Sequence, residues 1–134
     1  MVLSNLLGLD VGDARIGLAV VESDVKIARP IGYITVDGSE IEQVIKASVL
    51  HRVDKLVVGY PRNQSGESTK QTASVKAFCE KLKSAGAPPI VFQDESLTSV
   101  LAENYLKKAK KPYSKGDIDA VAAAIILTDY VEAN

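Results

Sequence analysis

Leu6-Leu7-Gly8-Leu9-Asp10-Val11-Gly12-Asp13-Ala14-Arg15-Ile16-Gly17-Leu18-Ala19-Val20-Val21 sets the architecture of this chain. Two apolar runs, Leu6 to Leu9 and Ile16 to Val21, flank the turn Val11-Gly12-Asp13-Ala14. Runs this short, bounded by turn residues, read as strands buried on both faces. The connection is too short for a crossover, so the two strands pair antiparallel. A third strand, about Ile31 to Val36, follows Pro30 and stops at Asp37-Gly38, which completes a meander.

Downstream the pattern changes to helix–strand alternation. Ser39-x-x-Glu42 has the form of a capping box ahead of the stripe Ile41, Val44, Ile45, Ser48 and Val49. Lys55 to Gly59 is the fourth strand, and a loop from Tyr60 to Glu67 carries Pro61, Asn63 and Gly66. Ser68-x-x-Gln71 caps a helix with the face Val75, Phe78, Leu82 and Ala85, which Gly86 to Pro89 stops. Ile90 to Gln93 is the fifth strand. A helix from about Thr98 to Lys108 is expected to bury Leu101 and Tyr105. The last helix runs from about Asp117 to Val131, with Ser114-x-x-Asp117 as its capping box. The order βββαβαβαα predicts one α/β domain over residues 1–134, a five-stranded mixed sheet covered by helices. Right-handed crossovers put strand one at its centre, beside strand four.

Composition narrows the function. The chain has 134 residues, 46% hydrophobic and 25% charged, the mix of a globular protein with a proper core. Its one cysteine, Cys79, excludes a disulfide framework and a thiolate zinc site and reads as packing. His51, the only histidine, sits at a helix C-terminus and reads as structural. No apolar run is long enough to span a bilayer, and the N-terminus lacks a basic leader pattern. A cytoplasmic protein without a membrane partner is expected. The net charge of −1 argues against binding nucleic acid by overall charge. Lys107, Lys108, Lys110, Lys111 and Lys115 nevertheless gather into a local basic patch.

Three acidic positions carry the functional signal. Asp10 ends a buried strand, where a carboxylate costs several kcal/mol unless it is bonded, paired or bound to a cation. It is either a turn-former bonding near Gly12 or part of a site. Asp94-Glu95 ends the fifth strand and either decorates the following helix N-terminus or sends one of its two side chains to the same place. Asp119 lies in the second turn of a helix whose next stretch, Ala120 to Leu127, is apolar all round, so it points inward. In α/β sheets, sites collect at the carboxyl ends of strands. Carboxylates converging there repel by about 4 kcal/mol per pair at 4 Å and need a proton or a metal. All-oxygen ligation points to Mg²⁺ or Mn²⁺, and two such ions would suit an in-line phosphoryl displacement.

Five motifs occur in order. They are Gly8-Leu9-Asp10-Val11-Gly12-x-x-Arg15-Ile16-Gly17-Leu18-Ala19-Val20, Ala28-Arg29-Pro30, Val57-Val58-Gly59-x-Pro61-x-Asn63-x-x-Gly66, Asp94-Glu95-x-Leu97-Thr98-Ser99 and Lys115-Gly116-x-Ile118-Asp119-Ala120-x-Ala122-Ala123. Together they resemble the YqgF (RuvX-like) family from about Leu6 to Tyr130. The resemblance implies a ribonuclease H-like fold and a metal-dependent endonuclease that matures the 5′ end of precursor small-subunit (16S) ribosomal RNA. It places the acidic, metal-holding site on Asp10, Glu95 and Asp119. Candidate substrate contacts are Arg15, Arg62, Asn63, Lys108, Lys110, Lys111 and Lys115. The implied partners are structured precursor RNA or branched DNA, a small-subunit precursor, and a second copy of the chain. Ser96 stands where the family usually has arginine and Asp13 where it often has threonine. Arg62 is a candidate replacement for the missing charge. Competing readings are a Holliday junction resolvase, a non-catalytic RNA-binding or ribosome-assembly factor on a nuclease fold, and a nucleotide phosphate-binding module. The last is disfavoured because such modules bind nucleotide between two domains.

Overall fold

A computed structural model of the chain describes residues 5–22, 25–60, 70–94, 98–110 and 112–133. Strands β1 (Leu6–Val11), β2 (Arg15–Glu22) and β3 (Val25–Thr35) are followed by α1 (Glu40–Leu50), β4 (Lys55–Tyr60), α2 (Lys70–Ser84), β5 (Ile90–Asp94), α3 (Thr98–Lys108) and α4 (Lys115–Ala133). The sheet order is β3-β2-β1-β4-β5, with β1 at the centre as expected. β1 runs antiparallel to β2, with Leu9 opposite Leu18 and Asp10 opposite Gly17, and parallel to β4, with Gly8 beside Val57.

Strand alternation assigns each side chain to one of two layers. Leu7, Leu9, Ile16, Leu18, Leu56 and Val58 join Val44 of α1 and Val75, Cys79 and Leu82 of α2 in the larger core. Leu6, Ala19, Val21 and Val57 face the other way and pack on Ala123, Ala124, Ile126 and Leu127 of α4. Each fully buried leucine contributes roughly 1.5 to 3 kcal/mol relative to exposure. The helix α4 is enclosed because α3 covers its outer side, where Ala102 packs against Val121 and Ala122.

The seam between sheet and α4 is unusually tight. A Cβ on Gly8 would stand 3.0 Å from the Ala123 carbonyl oxygen. A Cβ on Gly17 would overlap the carbonyl group of Asp119. Glycine inside a strand commonly marks such a close approach of another backbone.

Four expectations are corrected. β3 begins at Val25 rather than Ile31. Pro30 does not end it, because β3 is an edge strand, where a missing N–H is tolerated. The pairing also shifts register between Leu18 and Ala19. The Ser39 capping box does not form. Ser39 Oγ instead donates to Asp37 Oδ1 at 2.6 Å and accepts from Gln43 Nε2 at 2.6 Å. Leu101 and Tyr105 are 52% and 63% exposed, and α3 turns Ala102 and Leu106 inward instead. Finally, α4 starts at Lys115, two residues before Asp117. Its capping box does form, with the Asp117 N–H donating to Ser114 Oγ at 3.2 Å and the Ser114 N–H to Asp117 Oδ2 at 2.8 Å. The Ser68 cap lies outside the described residues.

Candidate active site

Asp10 is the next-to-last residue of the central strand, and its alternation partners Leu6 and Gly8 face α4. Directly opposed residues of an antiparallel pair project to the same face. Asp10 therefore shares a face with Gly17, the position on which Asp119 is seated. The absence of a side chain at Gly17 lets the second turn of α4 settle on the sheet beside Asp10. The glycine thus leaves room for the Asp119 backbone to lie against the residue paired with Asp10 at the carboxyl end of β1.

Asp119 is 22% exposed and engaged. Arg15 Nε donates to Asp119 Oδ2 at 2.6 Å, with the arginine side chain 31% exposed. Arg15 opens β2, two residues before Gly17, and so projects to the α4 face as well. Its main chain is pinned by the two-residue turn Asp13-Ala14. The Gly12 N–H donates to the Arg15 carbonyl at 2.9 Å, and the Val36 N–H to the Ala14 carbonyl at 2.9 Å. Asp10 is half-buried beside this pair.

The other acids separate. Asp94 pairs with Tyr60, and Val58 and Phe92 precede them on the same face, that of α1 and α2. Tyr60 lies under Lys76 of α2, with the ammonium 5.6 Å from the ring centroid, and against Phe92. Asp94 therefore faces away from Asp10. Asp13 lies in the turn and lines a cavity on the α1/α2 side with Val36, Glu40 and Phe78, so it does not join Asp119. Glu95, together with Arg62, Asn63, Ser96 and Lys111, lies outside the described residues. The patch on the lysine loop is partly formed. Lys107 pairs with Glu103 at 3.2 Å, while Lys108, Lys110 and Lys115 are exposed ahead of Asp119.

Among the described residues no group of three or more His, Cys, Asp or Glu side chains is gathered for a metal. Asp10 and Asp119 still suit a hard divalent cation. Mg²⁺ is commonly held by one or two carboxylates, with substrate phosphates and water completing its shell. Arg15 already occupies the place of a positive charge at Asp119. Two features escaped the sequence reading: the seat at Gly17 and the identity of Arg15's partner. The only signal for the first was a glycine inside an otherwise bulky buried strand.

Sheet order β3-β2-β1-β4-β5, with an antiparallel meander leading into parallel strands and helices on both faces, is the architecture of a ribonuclease H-like domain. The fold is that of Thermus thermophilus RuvC, at a TM-score of 0.56 and 15% identity over 96% of this chain and 95% of that one. The Fowlpox virus resolvase in complex with Holliday junction DNA matches at a TM-score of 0.58 and 9% identity, covering 96% and 97%. The sequence matches the family described as "RuvX: Holliday junction resolvase" over residues 4–133. A Chloroflexus aurantiacus protein named "Putative pre-16S rRNA nuclease" is 40% identical over 132 residues, 96% of this chain and 86% of that protein. A Sulfurihydrogenibium sp. protein of the same name is 36% identical over 132 residues, 97% and 91% of the two chains. This chain belongs to the RuvX family.

Proposed function

We infer that this protein is a divalent-metal-dependent endonuclease that acts in the cytoplasm on the precursor of 16S ribosomal RNA. The observation that carries this reading is the seating of Asp119 on Gly17, on the Asp10 face of the central strand. The names of the relatives support the choice of substrate. Asp10 and Asp119, with Glu95 as the third carboxylate, would hold Mg²⁺ or Mn²⁺, two ions in all. Bound there, the ions would supply positive charge to the phosphate and acidify water for in-line attack. The protein's own work is positioning. The β1–β2 hairpin fixes Asp10, the glycine seam fixes Asp119, and the half-buried setting strengthens their pull on a cation. Lys108, Lys110, Lys111 and Lys115, with Arg62 and Asn63, are proposed to track the substrate backbone, where each cation contributes counterion release.

The family description favours a second substrate, branched DNA. A cleavage assay offering precursor 16S RNA and a four-way DNA junction, each with Mg²⁺ and with EDTA, separates the readings. Cleavage of the RNA in Mg²⁺ alone is expected. Cleavage confined to the junction establishes the second reading, and no cleavage of either overturns both.

A further inference from the structure

The ion pair between Arg15 and Asp119 joins the two ends of the chain at the proposed site. It involves a carboxylate that the proposed function needs for a metal. Three observations bear on what it does. First, Arg15 reaches Asp119 from the sheet side of the seam, so the guanidinium and a cation held between Asp10 and Asp119 would compete for the same carboxylate. Two positive charges a few ångströms apart at one carboxylate repel strongly when water is partly excluded. Second, the pair is 31% and 22% exposed, so water and ions reach it and its rupture is inexpensive compared with that of a buried pair. Third, the Arg15 main chain is held by turn hydrogen bonds on both sides. The flexible part is the side chain, which can leave without disturbing the hairpin.

We propose that Arg15 is the resident counter-cation of the site: it holds Asp119 in the metal-free protein and is exchanged for the divalent ion. While paired, it offsets the repulsion between Asp119 and Asp10 and keeps the carboxylate oriented beside the central strand. Once displaced, the guanidinium is available to a phosphate oxygen, for which its planar fork is suited. Arg15 is thus a positioning residue whose partner changes with metal loading. This inference rests on the metal reading above.

Calorimetric Mn²⁺ titration of the intact protein tests it without reference to cleavage. Arg15→Gln should bind Mn²⁺ about ten-fold more tightly than wild type, because the competing cation is gone. Its metal-free melting temperature should fall, and its gain on adding Mn²⁺ should exceed that of wild type, as linkage requires. In an Asp119→Asn background, Arg15→Gln should raise Mn²⁺ affinity by much less than ten-fold, since only through-space repulsion and no shared carboxylate is left, a non-additivity that a merely structural arginine would not produce. Equal or weaker Mn²⁺ binding by Arg15→Gln overturns the exchange while leaving the metal reading intact. Wild type that binds no Mn²⁺, or Asp119→Asn that binds it as wild type does, overturns the metal reading and the exchange with it. Should Arg15→Gln not fold, Arg15→Lys takes its place. Because lysine keeps the competing charge, affinity near wild type supports the exchange, and ten-fold tighter or weaker binding overturns it.

Discussion

Replacing Gly17 by alanine adds a methyl group at the point where α4 meets the sheet. The new Cβ would overlap the Asp119 carbonyl oxygen and carbon and stand 2.8 Å from the Ala120 amide nitrogen. All three are backbone atoms, so no rotamer change relieves the clash. Carbon normally stops at about 3.5 to 4.0 Å from its neighbours, so the first turns of α4 must retreat by roughly 1 to 2 Å. Over-packing of this kind typically costs about 1 to 3 kcal/mol, sometimes more, and rigid partners place Gly17→Ala at the upper end. With an unfolding entropy of about 2.1 cal/mol/K per residue, a chain this long loses roughly 3 to 4 °C per kcal/mol, so a fall of about 10 °C is expected. Because Asp119 rides on the displaced turn, activity should fall about 100-fold even below the melting transition, the usual cost of a 1 Å misplacement. Gly8→Ala meets Ala123 oxygen at 3.0 Å and Leu127 Cβ at 3.1 Å, a milder clash further from Asp119, so its losses should be smaller in both assays. Thermal melts by circular dichroism and initial cleavage rates read the two effects separately. A Gly17→Ala protein with wild-type melting temperature and wild-type rate would refute the close seating of α4.

Three further outcomes are expected. Ser114→Ala removes the hydroxyl that accepts from the Asp117 N–H, one half of the reciprocal cap of α4; it should cost about 0.5 to 2 kcal/mol in denaturant melts and leave cleavage measurable. Replacing Lys108, Lys110 and Lys111 with alanine should flatten the log–log salt dependence of RNA binding by about 0.7 to 0.9 for each phosphate no longer neutralised, and an unchanged slope would make these lysines ordinary solvated residues. Burial pushes the Cys79 thiol up to about 11 from 9.0. Between those values the unfolded chain loses the proton first, so stability should fall by up to about 1.4 kcal/mol per pH unit as pH rises through the window. Cys79→Ala should be less stable at neutral pH but lack that component, which pH-dependent denaturant melts measure.

The parts of the fold legible in sequence are those where local chemistry and burial agree. The β1–β2 hairpin is two apolar runs around a turn, and α4 couples a working capping box to a long apolar stretch. Where only tertiary position decides, the sequence pattern misleads. Pro30 looks like a boundary, and its tolerance depends on β3 being an edge. Leu101 and Tyr105 outrank Ala102 in hydrophobicity, yet α3 and α4 approach through alanine, which permits close helix packing. Ser39 had a rival acceptor, Asp37, two residues away. The half-buried settings of Asp10 and Asp119 were legible from the apolar stretches beside them. The pairing of Arg15 with Asp119 was not, since it joins residues 104 apart across a seam that only the assembled sheet and helix create. Asp94 was ambiguous until the register of β5 against β4 turned it to the other face.

The most direct measurement is Mg²⁺-dependent cleavage of precursor 16S RNA by wild type and Asp10→Asn, each with a melting curve in metal-free buffer. Asparagine keeps the shape of Asp10 and removes its charge at the centre of the sheet. Asp10→Asn is predicted to fold and to melt within a few degrees of wild type, because Arg15 already offsets the charge of Asp119 in metal-free protein. Its cleavage should fall by about 1,000-fold or more, the scale of about 4 kcal/mol lost from the transition state. Asp10→Asn that folds as wild type and cleaves at the wild-type rate would contradict the claim that Asp10 stands at the centre of the site.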